Sequence, residues 1–170
     1  MIDPTLIEDY LCIVEDILAH DEFRKLNEFT QHGETSVLEH SLKVSFLVFL
    51  IGHKKRKIDV VSLTRGALLH DFFLYDWHEK KSKSGRKGFH GFTHPKTALI
   101  NAEKYFSLNP IEKDMIRTHM WPLTLLHFPK YRESRLLCRV DKIVSLKETL
   151  RIPCLDSTVL RAIYSKAFIA

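Results

Sequence analysis

Apolar residues return along this chain at intervals of three and four, and the residues that interrupt them are those that start and stop helices. Leu6, Tyr10, Ile13, Val14 and Ile17 follow Asp3-Pro4, a side-chain cap and a proline whose missing N–H costs nothing in a first turn. Ser36-Val37-Leu38-Glu39 reads as a capping box, and the helix it opens runs to Gly52. Asp59 caps a third helix toward Phe73, and a polar loop with Ser84, Gly85, Gly88 and Gly91 follows. Pro95 opens another helix to about Phe106, and Asn109-Pro110 starts the next, ending near Met120. Trp121-Pro122 and Phe128-Pro129 bracket a loop, Glu133 to Leu150 forms a long helix, and Asp156 starts a last one. No stretch alternates apolar and polar residues as a strand would. The expected fold is all-α, a compact helical bundle with short connections, in one domain over residues 1–170.

The bulk composition narrows the class. The chain has 170 residues, 45% hydrophobic and 28% charged, as in ordinary globular domains. Its longest apolar candidate, VSFLVFLIG, is about half the ~20 residues of a membrane span, so no membrane partner is expected. The N-terminal MIDPTLIEDY is acidic and reads as no signal peptide. Cys12, Cys138 and Cys154 sit at unrelated spacings, which suits three reduced thiols and a cytoplasmic location. A net charge of +5 and a pI near 9.1 favour an anionic partner such as a nucleotide or a phosphorylated metabolite. Nucleic acid, suggested by charge alone, is a weaker expectation. KKRK at 54–57 and KKSKSGRK at 80–87 carry much of the charge.

Ten histidines are more than packing explains. Several lie on apolar helical faces. Leu137, Val140, Asp141 and Val144 share one face, so Asp141 points inward, where a carboxylate needs a cation. Val37, His40, Val44 and Leu47 share another. Leu63, Gly66, Ala67 and His70 form a third, where Gly66 and Ala67 allow a second backbone close beside His70. Glu112, Met115, Ile116 and His119 form a fourth, and His94 stands at the mouth of the helix that Pro95 opens. In GALLHDFFLYDWH, His70 and Asp71 end an apolar run. Four histidines and two aspartates aimed inward are hard to satisfy in pairs, and a metal centre satisfies them together. Nitrogen and oxygen donors without thiolate suit Fe, Mn, Zn or Co.

These residues resemble a known family. His40, then His70-Asp71, then Asp141 is similar to the H…HD…D signature of the HD-domain metal-dependent phosphohydrolases, over roughly residues 32–150. EHSLKVS around His40 resembles the family's first motif. QHGETSVLEHSLKV, HGFTHP, HMWPLT and VDKIVSLKET resemble small bacterial members of the superfamily. The resemblance implies that His40, His70, Asp71 and Asp141 hold one metal. It further implies that His94 and His119 complete a second site, with Asp71, the catalytic residue, bridging the two ions. It leaves open whether one ion or two bind. It implies hydrolysis of phosphomonoesters or phosphodiesters, often of nucleotides, by a metal-activated water. The extra motif of cyclic-dinucleotide phosphodiesterases is not evident. Alternatives are a metal-retaining ligand-binding or regulatory domain without turnover, and O₂ chemistry at a two-iron site. Around the centre, His32, His90, Arg86 and Lys142 are candidate substrate contacts, with Lys87 beside them. Each has solvation as its plain alternative. Trp77 and Trp121 could stack a base or pack a lid, and His78 could support a ligand. His20, His53 and His127 have surface or packing roles only.

Overall fold

The computed structural model of the chain describes residues 3–33, 35–76 and 90–168. Helix formation follows the caps. α1 (Pro4–Leu18) begins where the Asp3 carboxylate accepts the Thr5 N–H at 3.0 Å. A short α2 (Asp21–Arg24) and a 3-10 turn (Lys25–Glu28) lead into a small antiparallel hairpin of β1 (Thr30–His32) and β2 (Thr35–Ser36). Between the strands Gly33 adopts φ +59°, a conformation glycine reaches without a Cβ clash. The hairpin runs directly into α3 (Val37–Gly52), and α4 (Val60–Leu68) follows, capped by Asp59. Beyond lie α5 (His90–Tyr105), α6 (Pro110–Thr118), α7 (Arg132–Thr149) and α8 (Ser157–Phe168). The fold is all-α, with the hairpin as its one departure among the described residues. None of the described helices is long and apolar enough to cross a membrane.

α3 packs against α4 and α7, and α6 against α4, α5 and α7. One core gathers Tyr10, Phe23, Phe46, Leu68, Phe72 and Ile163. A second gathers Val44, Leu63, Met115, Leu137 and Val144 between α3, α4, α6 and α7. Gly66 marks the closest approach of α4 and α6: a Cβ there would lie 2.9 Å from Met115 Sδ and 3.3 Å from the Glu112 Cα. At the same junction Arg65 spans three helices, with Nη2 2.8 Å from Asp16 Oδ2 and Nε 3.4 Å from Glu112 Oε1.

Four departures from the expected elements bear on the site. The third helix stops at Leu68 rather than near Phe73, because the backbone turns at Leu69. The Ala67 carbonyl, which a continuing helix would give to an N–H four residues on, instead faces His70 Nδ1 at 2.7 Å. The fourth long helix begins at His90, five residues ahead of Pro95, so His94 lies inside it rather than at its mouth. Pro95 lies in the second turn, where it has no N–H to give the Gly91 carbonyl, and the helix continues through it with that bond missing. At Ser36 only half of the expected box forms. The hydroxyl accepts the Glu39 N–H at 3.1 Å, while the Glu39 carboxylate pairs with Lys43 at 2.7 Å. A full box is built by Asn109 and Glu112. Lastly, residues 21–28 and the hairpin carry structure that the apolar rhythm did not predict, being too short to show a period.

Replacement of Gly66 by Val would force α4 and α6 apart. It is expected to lower stability by about 1–3 kcal/mol, measured as a fall in Tm of several degrees in thermal unfolding. An unchanged Tm would contradict the close approach.

Candidate metal centre

Six side chains from five segments of the chain meet inside the bundle. His40 comes from the first turn of α3, His94 from α5, and Asp141 from the middle of α7. His119 is the C-cap residue of α6. His70 and Asp71 come from the turn that ends α4. Residues adjacent in a helix point about 100° apart. Leaving the helix at Leu69 lets both His70 and Asp71 face inward. All six are buried, none more than 6% exposed.

Asp71 sits between two groups. Its Oδ2 lies 3.4 Å from His70 Nε2 and 3.8 Å from His40 Nε2. Asp141 Oδ1 closes that side, 3.2 Å from His40 Nε2 and 3.6 Å from His70 Nε2. Asp71 Oδ1 faces the other way, 3.2 Å from His94 Nε2 and 3.4 Å from His119 Nε2. The Nε2 atoms of His94 and His119 are 2.7 Å apart. His40, His70 and Asp71 form one set of donor atoms that could hold a metal ion, and Asp71, His94 and His119 form another.

The outward nitrogens decide how these rings present themselves. His70 Nδ1 is 2.7 Å from the Ala67 carbonyl and His119 Nδ1 is 2.8 Å from the Ile116 carbonyl. A carbonyl only accepts, so each Nδ1 carries the hydrogen, and when the ring is neutral the lone pair of Nε2 faces the aspartates. His40 Nδ1 donates in the same way to Glu148 Oε2 at 2.8 Å. Lys43 Nζ holds the other Glu148 oxygen at 3.1 Å. This is the arrangement of metal-ligating histidines, whose second nitrogen is fixed by a carboxylate or carbonyl.

The polar accounting agrees. His70 Nε2 and Asp71 Oδ1 are buried and make no hydrogen bond among the described residues. Such orphaned groups are costly, and a cation between lone pairs and carboxylates removes the cost. Bonds of about 2.0–2.2 Å to nitrogen and oxygen place neighbouring ligand atoms about 3–3.5 Å apart, close to the separations around Asp71. The residues present therefore fit a divalent ion.

Without an ion, protons take its place. Burial opposes charge on His40, but Asp141 and Glu148 raise its pKa to about 10. Burial likewise opposes charge on His70, and Asp71 and Asp141 raise it. Burial pushes Asp71 and Asp141 up, yet the facing histidines hold both well below the carboxylate range. His119 is lowered, chiefly by burial, with Asp71 opposing.

Lys142, expected as a phosphate contact or a solvated cation, donates from Nζ to the His119 and Cys138 carbonyls at 3.0 and 3.2 Å. Trp121 packs edge-on against Phe128, with ring centroids 5.4 Å apart. Trp77, His78, Arg86 and Lys87 lie outside the described residues, as do the side chains of His32 and His90. His20 caps α2 through Nδ1, which accepts the Glu22 N–H at 3.2 Å, and His53 packs near Phe49. Cys12, Cys138 and Cys154 are free thiols.

Two residues at the centre were not singled out from the sequence. Glu148 lies seven residues beyond Asp141 on the same inward face of α7, so its spacing carried the signal. Gln31, in β1, donates from Nε2 to Asp71 Oδ2 at 2.6 Å. Nothing in its surroundings of Thr30 and His32 marks it. Comparison of the chain with models of protein families, with curated proteins and with solved structures gives no match.

These ionisations predict the pH dependence of chelator-treated protein. The contribution of His40 is complete below the ordinary imidazole value of 6.5 and is lost as pH rises toward about 10. That of Asp71 and Asp141 is complete above the ordinary 3.8 and is lost as pH falls through their lower folded values. The urea midpoint is expected to be highest between roughly pH 4 and 6.5 and to fall on either side. A midpoint still rising above neutrality would contradict the ion pairs at His40.

Proposed function

We propose that this chain is a metal-dependent phosphohydrolase of the HD-domain class, acting on a nucleotide or another small phosphate ester, with two divalent ions. One observation carries the reading: the two oxygens of Asp71 face two separate pairs of histidines, so a single carboxylate joins two sets of donors. The order of these residues along the chain, H…HD…H…H…D, supports the same class.

Divalent ions held here would supply Lewis acidity, lowering the pKa of water toward neutrality and stabilising charge on a phosphoryl group. The residues of the chain do the positioning. Asp71 fixes the separation of the two donor sets, and Gln31 Nε2 holds its carboxylate by donating to Oδ2. Gln31 is 7% exposed and its Oε1 has no hydrogen-bond partner among the described residues. That oxygen is an acceptor able to orient the hydrogen of a water or a substrate hydroxyl. Glu148 and the Ala67 and Ile116 carbonyls keep the Nδ1 hydrogens of His40, His70 and His119, so each Nε2 stays a ligand. Lys142 holds the end of α6, and with it His119, through the His119 carbonyl. Nitrogen and oxygen donors without thiolate suit Fe, Mn, Zn or Co, and the net charge of +5 suits an anionic substrate.

Wild type and Asp71→Asn, each loaded with these metals in turn, would be assayed for phosphate release on nucleoside mono-, di- and polyphosphates and on phosphodiesters. Turnover by wild type is expected, reduced more than about 100-fold in the variant, because loss of even an outer partner of a metal ligand costs 10–100-fold. Full metal occupancy with no turnover on any of these substrates would contradict hydrolysis and leave a binding or regulatory domain.

A further inference from the structure

The loop between α6 and α7 begins at His119 and turns apolar side chains outward. Leu125 is 76% exposed and Leu126 96%, and Leu123 and Phe128 are also exposed. The loop is held at both ends. Lys142 Nζ takes the His119 carbonyl, and Arg135 takes the Lys130 carbonyl through Nη2 at 2.7 Å. The Asp114 carboxylate accepts the Lys130 N–H at 3.0 Å. Trp121 and Phe128 meet across the neck. Leu123 also packs against α5, where a Cβ on Gly91 would lie 3.0 Å from its Cδ2. An anchored loop with bare leucines at its tip is not explained by the bundle core.

Apart from the half-buried Asp114 at its base, the exposed charge along the loop and the start of α7 is cationic. From Met115 to Leu146 every exposed ionised side chain is cationic: Arg117, Lys130, Arg132, Arg135, Arg139 and Lys142. The carboxylates in that stretch, Glu133 and Asp141, are each 6% exposed. At 100° per residue, Arg132, Arg135, Arg139 and Lys142 share one face of α7. Ile143, Leu146 and Leu150 continue that face, and all three are exposed. The outward face of α7 thus carries cations in its first half and aliphatic side chains in its second.

We infer that the α6–α7 loop and the outward face of α7 form a docking surface for an anionic lipid bilayer. Cations beside exposed aliphatic and aromatic side chains are what such a surface attracts and then receives. Nucleic acid would satisfy the cations but leave the leucines in water. A second copy of this chain would bring like charges toward each other. A pair of leucines this exposed needs a matching pocket on a protein, whereas fluid lipid accepts it without one. The chain would lie on the membrane without spanning it, a departure from the expectation of no membrane partner, which rested on apolar length alone, and the loop that follows His119 would set the metal centre beside the lipid headgroups. Vesicle binding requires no turnover, so this inference and the hydrolase reading fail separately.

The test is flotation of the full chain with vesicles of phosphatidylcholine, with and without phosphatidylglycerol, at low and high salt. Wild type is expected to bind the anionic vesicles, and to bind them less as salt rises. The double variant Leu125→Asp/Leu126→Asp is expected to bind at least about tenfold more weakly, with metal content and thermal unfolding unchanged because both positions are exposed. Arg132→Glu/Arg139→Glu, which spares the cations that hold the loop, is expected to lose the preference for anionic lipid. No flotation at low salt, or equal binding to neutral vesicles, would overturn the inference. So would vesicle binding or tighter duplex DNA binding that the leucine variant leaves intact, or a dimer in solution that this variant dissolves.

Discussion

Asp71 is the group on which the rest of this structure turns. A carboxylate buried in the middle of a helical bundle is tolerated only with cationic or hydrogen-bonded company. Here each of its oxygens faces two imidazole nitrogens, and Gln31 adds a donor. Asp141 repeats the demand on one side. Satisfying both aspartates draws in α3, α5, α6 and α7 together with the turn after α4. His40, His70 and His119 are held in place, since carbonyls and Glu148 bind their outer nitrogens. Packing and polar satisfaction therefore select the same arrangement, as expected where a site is built on rigid elements.

The close helix contacts serve this arrangement. Gly66 lets α6 approach α4, which brings His119 toward His70, with ring centroids 5.0 Å apart. Lys142 fixes the last carbonyl of that approach from α7. The bend at Leu69 sacrifices the last turn of α4 and turns two adjacent residues to one side. The apolar neighbours Leu68, Leu69, Phe72 and Phe73 are fully buried around the pair and anchor the bend.

Much of this was legible in the sequence, and the exceptions have physical causes. The stripe of Leu137, Val140 and Val144 placed Asp141 inward because an 18-residue helix shows its period clearly. His40 and His119 were legible in the same way. The start of α5 was not: Pro95 is an ordinary first-turn signal, and only packing decides that five residues precede it. The bend at Leu69 carries no glycine or proline, so the apolar run read straight through it. Gln31 sits in a hairpin too short for any pattern, and its role depends on a contact with Asp71, forty positions away. Glu148 was within reach, lying on the Asp141 stripe, but an acidic residue near a helix end reads first as solvated.

The central claim is that Asp71 joins two ion sites, and metal content tests it most directly. Tag-free wild type and His119→Ala would be incubated with Mn, Fe, Co or Zn salts, freed of excess metal, and analysed for ions per chain. Two ions are expected in wild type and one in the variant. One ion in both proteins would contradict it by removing His119 from the centre, and no ion in either would remove the metal centre altogether.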